Sequence, residues 1–292
     1  MENIFGDLKR TFHNGSILTK LIYINVGLFI IIRLTAVLFI LFNVQGFSFL
    51  QYLQMPSSPV QLLHKPWTII TYMFTHYDFL HILFNMLWLY WFGKIFLQFF
   101  SPRQLGGIYI LGGIAGAALF MIAYNLLPYF RNMASSSLLM GASASVMAIV
   151  FAVSFYRKEY EIGLLFIGRI KLIYLAIGVL VLDFLAITST NAGGHIAHLG
   201  GAFFGIWFAS RMRAGKDLTA PMNRLIDKMV NIGKRKPKMH VSYKRAETDY
   251  DYNARKHRES KDLDAILDKL KQSGYESLSS EEKKRLFDAS KK

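Results

Sequence analysis

The 292-residue chain is 53% hydrophobic and only 18% charged, and it carries a net charge of +15. Soluble domains rarely combine so many apolar residues with so few charges, so the composition argues against an ordinary soluble protein. The chain contains no cysteine, which excludes disulfide bonds, thiolate catalysis and thiolate metal sites.

Six apolar runs follow one another along the chain. A membrane-spanning helix needs about 20 apolar residues, because the hydrocarbon core is about 30 Å thick. The fourth and sixth runs are short and begin with polar or small residues, which are tolerated at membrane depth only where they face protein or water. We therefore predict an all-α, polytopic membrane protein with a hydrated cavity and six spans, at 21–42, 79–100, 105–127, 142–155, 170–187 and 195–210.

Lysine and arginine residues alternate in density between these runs. They occur before the first run and after the second, fourth and sixth, whereas the opposite loops contain only Lys65 and Arg131. Because positive loops remain cytoplasmic, both termini are predicted to be cytoplasmic. The second, fourth and sixth runs then begin at the outer side of the membrane.

Polar side chains stand at the beginnings of these same three runs. They are His81 and Asn85 in the second run, Ser143 in the fourth and His198 in the sixth. His81 and Asn85 are four residues apart and share one helix face. The predicted orientation places all four residues at a similar depth, although the charge pattern and the polar positions are independent features.

These residue types fit acyl-transfer chemistry. A serine needs a base within about 2.6–3.2 Å to act as a nucleophile, and histidine suits that role near neutral pH. Asparagine, histidine and free N–H groups at a helix start can stabilise the oxyanion. Taken singly, a serine in such a helix more often serves packing and a histidine more often serves structure. Their coincidence at one depth favours the catalytic interpretation.

Glycines follow His198 on the same helix face. Gly201 and Gly205 lie three and seven residues after it. Small residues on one face let membrane helices approach closely, which would bring His198 against Ser143.

The ordered motifs "HILFN", "GASA" and "HLGGAFFG" resemble those of rhomboid intramembrane serine proteases. The resemblance covers about residues 20–213, and the second run is similar to that of bacterial rhomboids. It implies a six-helix rhomboid bundle in a bacterial inner membrane that cleaves transmembrane protein substrates near the outer face, without a cofactor or metal. Ser143 would be the nucleophile and His198 the general base. His81, Asn85 and the Ser143 backbone would form the oxyanion hole, and Gly141 would allow a tight loop.

Other polar and aromatic residues lie outside these motifs. His195 also precedes these glycines, but the residues three and seven positions after it are not glycine. It is therefore interpreted as a polar neighbour of His198. Two charges lie within runs, Arg33 and Asp183, and a structural role is expected for both, with their partners left open. Aromatic residues of the first long loop are predicted to lie in the outer membrane interface, namely Trp67, Tyr72 and Phe74.

The chain is expected to divide into a cytoplasmic segment (1–20), the membrane domain (21–213), a basic linker (214–259) and a small helical tail (260–292). The linker has little periodicity, and its Lys and Arg residues favour anionic lipid headgroups over nucleic acid. In the tail, one helix is predicted from a Ser260 cap to Gly274, and a second follows. Such tails resemble those of Bacteroidetes-type rhomboids.

Two alternatives to a protease remain. One is a catalytically inactive rhomboid-like protein that binds membrane proteins; the complete Ser143, His198, His81 and Asn85 set argues against it. The other is a transporter or channel, which the lack of an inverted repeat or a charged pathway argues against.

Overall fold

The computed structural model describes residues 6, 10–12, 14–44, 48–164, 168–230 and 248–290. The chain divides into two compact units, Met1–Ile232 and Gly233–Lys292. The first unit contains all six predicted spans.

Six helices form the bundle of the first unit. Their ends differ from the predicted runs by no more than four residues. By length and hydropathy, three of them could each cross a membrane, and two further apolar helices have only 14 residues each. The six are α1 (Ile17–Leu41), α2 (Phe79–Phe99), α3 (Pro102–Leu126), α4 (Ser143–Tyr156), α5 (Leu172–Leu185) and α6 (Ala192–Arg213).

Polar side chains cap the starts of the first three helices. Ser16 accepts from the N–H of Thr19 at 3.2 Å, and Asp78 accepts from the N–H of His81 at 2.9 Å. Ser101 forms a reciprocal capping box with Gln104. Such caps satisfy N–H groups that have no partner within the helix. The Asp78 cap also fixes where His81 stands on α2.

Small residues let α3, α4 and α6 meet at the centre of the bundle. A Cβ atom added to Gly116 of α3 would lie 2.5 Å from the Ala144 Cβ of α4. One added to Gly200 of α6 would lie 2.6 Å from the Ala115 carbonyl oxygen of α3. Neither position has room for a side chain, so these helices pack almost backbone to backbone.

The connection between α1 and α2 is built from short elements. It contains helical turns at Leu50–Leu53, Pro59–His64 and Thr68–Thr71, and a 3₁₀ turn at Tyr72–Phe74. Strand β1 (Met55–Pro56) pairs antiparallel with β2 (Leu138–Leu139), just before α4. The first loop is therefore tied to the segment that leads into Ser143.

The predicted interfacial position of the loop aromatics is wrong for Tyr72. That residue is buried, and its hydroxyl donates to the Gly113 carbonyl of α3 at 2.6 Å. Trp67 is half exposed, and its indole N–H donates to the Tyr52 carbonyl at 2.8 Å. An amphipathic ring fits an interface or a core equally well when its polar tip finds a partner.

Strands also join α4 to α5, which the all-α prediction did not include. β3 (Glu161–Leu164) and β4 (Gly168–Lys171) form an antiparallel hairpin. The predicted fifth run begins at Ile170, within β4, because a short apolar strand and a helix start look alike in hydropathy alone. A 3₁₀ helix, Pro128–Met133, follows α3.

Helices also occur in the predicted linker. α7 (Ala220–Val230) belongs to the first unit, and its Asp227 lies 3.6 Å from Arg103 at the start of α3. The basic stretch at 233–247 lies outside the described residues.

The second unit is a helical hairpin of α8 (Asp249–Ser273) and α9 (Ser280–Ala289), joined through a 3₁₀ turn at Tyr275–Ser277. The predicted cap at Ser260 is wrong, because α8 begins at Asp249 and is capped by Thr248, twelve residues before Ser260. The helix ends at Gly274, as predicted, with a φ of +76°.

Contacts between the two tail helices are partly ionic and partly apolar. The Lys269 ammonium of α8 lies 3.0 Å from the Glu282 carboxylate of α9, and Ile266 of α8 and Leu278, just before α9, are buried. This arrangement holds the second unit together as a small structure of its own.

Candidate active site

A tight loop leads into α4 and ends at Ser143. Gly141 has a φ of +117°, which side-chain-bearing residues rarely adopt. A Cβ atom there would also lie 2.7 Å from His81 Cε1 and 2.9 Å from His81 Nε2. Glycine is therefore required at this position both by its backbone conformation and by the neighbouring ring.

Hydrogen bonds anchor the same loop. The Gly141 N–H donates to the Tyr72 carbonyl at 2.9 Å, and the Ala142 N–H donates to His76 Nε2 at 3.3 Å. Ser143 is the first residue of α4, so its own N–H belongs to the group at a helix start that has no acceptor within the helix. The half-buried Ser143 side chain thus stands beside free N–H donors.

The first turns of α2 supply two further polar groups. His81 is held at the helix start by the Asp78 cap, and Asn85 lies one turn later on the same face. Asn85 is buried, and its amide nitrogen donates to the His81 carbonyl at 2.9 Å. An amide nitrogen carries two hydrogens, so the second remains available to a bound group.

Glycines bring α6 against α4. A Cβ atom at Gly201 would lie 2.0 Å from the Ala144 carbonyl oxygen, and one at Gly205 would lie 2.4 Å from the Ala148 carbonyl oxygen. Since backbone atoms cannot move aside as a flexible side chain can, both positions must be glycine for α6 to lie this close. His198, one turn before Gly201, is thereby brought to the start of α4.

One cavity collects the predicted site residues. Its volume is about 280 Å³, and residues of α2, α4, α5 and α6 line it. In the described part of the chain, no hydrogen bond joins the Ser143 hydroxyl to His198, although both line this space. The lining residues are His81, Phe84, Asn85, Trp88, Ser143, Val146, Met147, Val179, Asp183, Asn191 and His198.

A carboxylate that the sequence left without a partner lies at this site. Asp183 Oδ1 is 2.7 Å from His195 Nδ1 and 2.9 Å from His198 Nδ1. The donor atoms of the three residues lie within 4.8 Å of one another, close enough to share a metal ion. The short distances are those of hydrogen bonds, and they link α5 to α6.

Arg33 does not meet Asp183. Its guanidinium carbon lies 4.6 Å from the centre of the Tyr77 ring, and the side chain is exposed on α1. This is a cation–π contact near the surface of the bundle, in keeping with the structural role expected for Arg33.

Sequence reasoning missed the part played by His76. It is buried, accepts the Ala142 N–H and packs edge-on against the His81 ring at 5.2 Å between centroids. Its position outside the helix pattern concealed it, and only its closeness in sequence to His81 could have drawn attention to it.

Comparison with known proteins matches two regions of the chain to families. The model of the rhomboid domain matches residues 63–214, more than half of the chain, and residues 246–292 match a family of unknown function (DUF6576).

Three curated proteins that are named as rhomboid-like are similar to this chain. RHOMBOID-like protein 12, mitochondrial, from Arabidopsis thaliana is 29% identical over 51% of this chain and 47% of its own length. Presenilin-associated rhomboid-like protein A, mitochondrial, from Danio rerio is 28% identical over 46% of this chain and 34% of its own. The Mus musculus presenilin-associated rhomboid-like protein, mitochondrial, is 26% identical over 61% and 46%, respectively. The chain therefore spans less than half the length of these relatives.

Six helices in the predicted order, a cavity at the start of α4 that Ser143 and His198 both line, and the domain match lead to one conclusion. The chain is an integral membrane protein of the rhomboid family.

Proposed function

We propose that the chain is an intramembrane serine endopeptidase that cleaves transmembrane proteins with Ser143 as nucleophile and His198 as general base. The observation that carries the proposal is the cavity, because it gathers a helix-start serine, a histidine and two further polar donors from three different helices. Nothing in helix packing alone requires these four side chains to face one space.

The chemistry begins with attack of the Ser143 hydroxyl on a substrate carbonyl carbon. As the Oγ–C bond forms, the hydroxyl proton passes to His198 Nε2 and the carbonyl electrons move onto oxygen. The C–N bond then breaks, and His198 returns the proton to the leaving amine. Water hydrolyses the acyl-enzyme by the same route. The serine–histidine hydrogen bond is expected to close when substrate binds, since such bonds are often long in its absence.

The developing oxyanion requires donors, and three are at hand. They are the Ser143 N–H, the second amide hydrogen of Asn85 and the His81 ring, whose Nε2 lies against the Gly141 loop. Donors fixed in place before the reaction stabilise the transition state without the cost of reorganising solvent.

Water and substrate both need access to the cavity. Because α4 has only 14 residues, Ser143 would lie below the membrane surface, in a cavity open to water. The substrate would enter laterally beside α5, and its helix would unwind locally to expose a carbonyl.

The orientation and location are part of the proposal. The distribution of Lys and Arg supports cytoplasmic termini and cleavage near the outer face. A bacterial inner membrane is proposed from the motifs of the second span; the curated relatives, named as mitochondrial, make a mitochondrial membrane the competing location. We also propose the division of the chain into four parts, as predicted from the sequence. The Lys and Arg residues of the basic linker support contacts with anionic lipid headgroups.

A serine-directed fluorophosphonate probe tests the central claim. The wild-type protein in detergent should be labelled and should cleave a transmembrane substrate, whereas Ser143→Ala should do neither. His198→Ala should retain its fold, measured by thermal unfolding, and lose cleavage. Ser145→Ala is a matched control, because this neighbouring hydroxyl is buried outside the cavity. It should be labelled like the wild type.

The same experiment distinguishes the protease from the alternative, an inactive rhomboid-like binding protein. Such a protein would bind membrane proteins equally well with serine or alanine at position 143 and would not react with the probe. Absence of labelling in a folded wild-type sample would therefore contradict the protease assignment.

A further inference from the structure

The most unusual charge in the membrane domain is Asp183. The surrounding residues of α5 are exposed, with Leu182 and Phe184 each 66% exposed, yet Asp183 is only 6% exposed. A charged side chain within a span is costly unless it faces the protein interior and finds partners. The groups that bind the Asp183 carboxylate therefore indicate its role.

Both partners approach the same oxygen through the same ring atom. Oδ1 of Asp183 meets Nδ1 of His195 and Nδ1 of His198. An ionised carboxylate only accepts hydrogen bonds. Each imidazole must then carry a hydrogen at Nδ1, which leaves Nε2 of a neutral ring without one.

We propose that Asp183 is a positioning residue for His198, holding its hydrogen at Nδ1 so that Nε2 is free to take the proton of Ser143. The inference deepens the proposed protease function and rests on it. It adds a carboxylate from α5 to a serine and a histidine from α4 and α6. During attack the same carboxylate stabilises the imidazolium that forms, in the manner of the acidic member of a serine-protease triad.

His195 provides a control within the structure. It bonds the same oxygen at a slightly shorter distance, 2.7 Å against 2.9 Å, but it does not line the cavity. If Asp183 only fastened α5 to α6, removal of His195 would impair the protein at least as much as removal of the His198 contact. If Asp183 acts through His198, loss of His195 matters little to cleavage.

The test compares Asp183→Asn and His195→Ala in the full chain. Asp183→Asn should lower kcat about 10- to 10⁴-fold with KM within about threefold, because the substrate contacts are intact while the base is misoriented. His195→Ala should keep kcat within about threefold. Equal losses in the two variants would overturn the positioning role in favour of a structural tether.

A spectroscopic measurement separates this inference from the protease assignment. Nitrogen-15 NMR of labelled histidine should show His198 with its hydrogen on Nδ1 in the wild type and a mixture of tautomers in Asp183→Asn. The tautomer measurement does not depend on cleavage, so its result remains valid even if Ser143 does not react with the probe. A wild-type His198 with its hydrogen on Nε2 would overturn the proposal. This result comes from the wild-type spectrum alone, so it does not require Asp183→Asn to fold.

A metal-binding role for Asp183, His195 and His198 is the alternative to the positioning role. Treatment with EDTA should leave both the His198 tautomer and the cleavage rate unchanged. Loss of activity on chelation, restored by Zn²⁺ alone, would show that the three residues act as metal ligands and would overturn the positioning role.

Discussion

Helices α4 and α5 have the same length, 14 residues, and both are strongly apolar, yet they occupy opposite environments. Eleven residues of α4 are buried, whereas α5 buries only Leu172, Ala176 and Asp183. The difference lies in residue size rather than in hydrophobicity. Alanines on α4 meet glycines on α3 and α6, while α5 presents large side chains outward.

This contrast separates a fixed part of the site from a movable one. Ser143 stands on the most enclosed helix, so its position is set by close packing on several sides. Val179 and Asp183 stand on a helix with few buried apolar contacts, which is the kind of element that opens at low cost. Four predictions test this division, beginning with the largest effect.

Locking α5 to α2 should abolish substrate cleavage. Trp88 of α2 and Val179 of α5 both line the cavity, and the chain has no cysteine of its own. A Trp88→Cys/Val179→Cys pair joined by a disulfide should therefore block lateral entry, and a reductant should restore cleavage. The small fluorophosphonate probe should still label Ser143 in the locked form. Unaltered turnover of the cross-linked protein would show that the substrate does not enter between these helices.

Truncation of a buried ring should distinguish the two helices in stability. Phe151 of α4 is fully buried, and Phe184 of α5 is 66% exposed. Phe151→Ala should lower the free energy of unfolding by about 3–5 kcal/mol because it leaves a cavity. Phe184→Ala should change it by less than about 1 kcal/mol, because an exposed ring leaves no cavity behind. Denaturation in detergent measures both, and similar losses would contradict the contrast between α4 and α5.

Adding one methyl group should have opposite results at two glycines. At Gly201 the new Cβ would lie 2.0 Å from the Ala144 carbonyl oxygen, whereas at Gly178 of α5 nothing lies within 4 Å. Gly201→Ala should destabilise the bundle by about 1–3 kcal/mol through overpacking. Gly178→Ala should be neutral or stabilise the helix by up to about 1 kcal/mol. Thermal unfolding of the two variants provides the measurement, and a stable Gly201→Ala protein would refute the close approach.

Within the cavity, two substitutions should distinguish an oxyanion donor from a lining residue. Asn85→Ala should reduce kcat about 10- to 1000-fold, as expected for loss of one donor. Val179→Ala, on the opposite wall, should stay within about threefold, since it removes no donor. Single-turnover kinetics separates these effects from substrate entry. If the two variants slow cleavage equally, Asn85 serves the shape of the cavity and not the transition state.

Much of this fold could be predicted from local sequence. The six apolar runs identify the six helices because hydropathy and length are properties of each segment alone. Errors occur where a local pattern has two solutions. Ile170 fits either a strand or a helix start. The start of α8 at Asp249 was not predicted, because its first turns are polar and show little apolar periodicity.

The residues that line the candidate site were partly predictable for the same reason. His81, Asn85, Ser143 and His198 could be found because polar residues in apolar runs are costly and conspicuous. His76 lies outside the runs and was not recognised. Asp183 was conspicuous, but its partners lie on another helix, and no spacing rule connects a residue on α5 with one on α6.

By itself, then, the sequence determined the class of protein, the six helices of the bundle and the candidate polar groups, since each follows from the composition of a single segment. Only the tertiary structure decided that α4 is central and α5 peripheral, that the Gly141 loop lies against His81, and that Asp183 meets His195 and His198. Those outcomes depend on which helix surfaces fit together, and that fit is settled by the packing of distant segments rather than by any one of them.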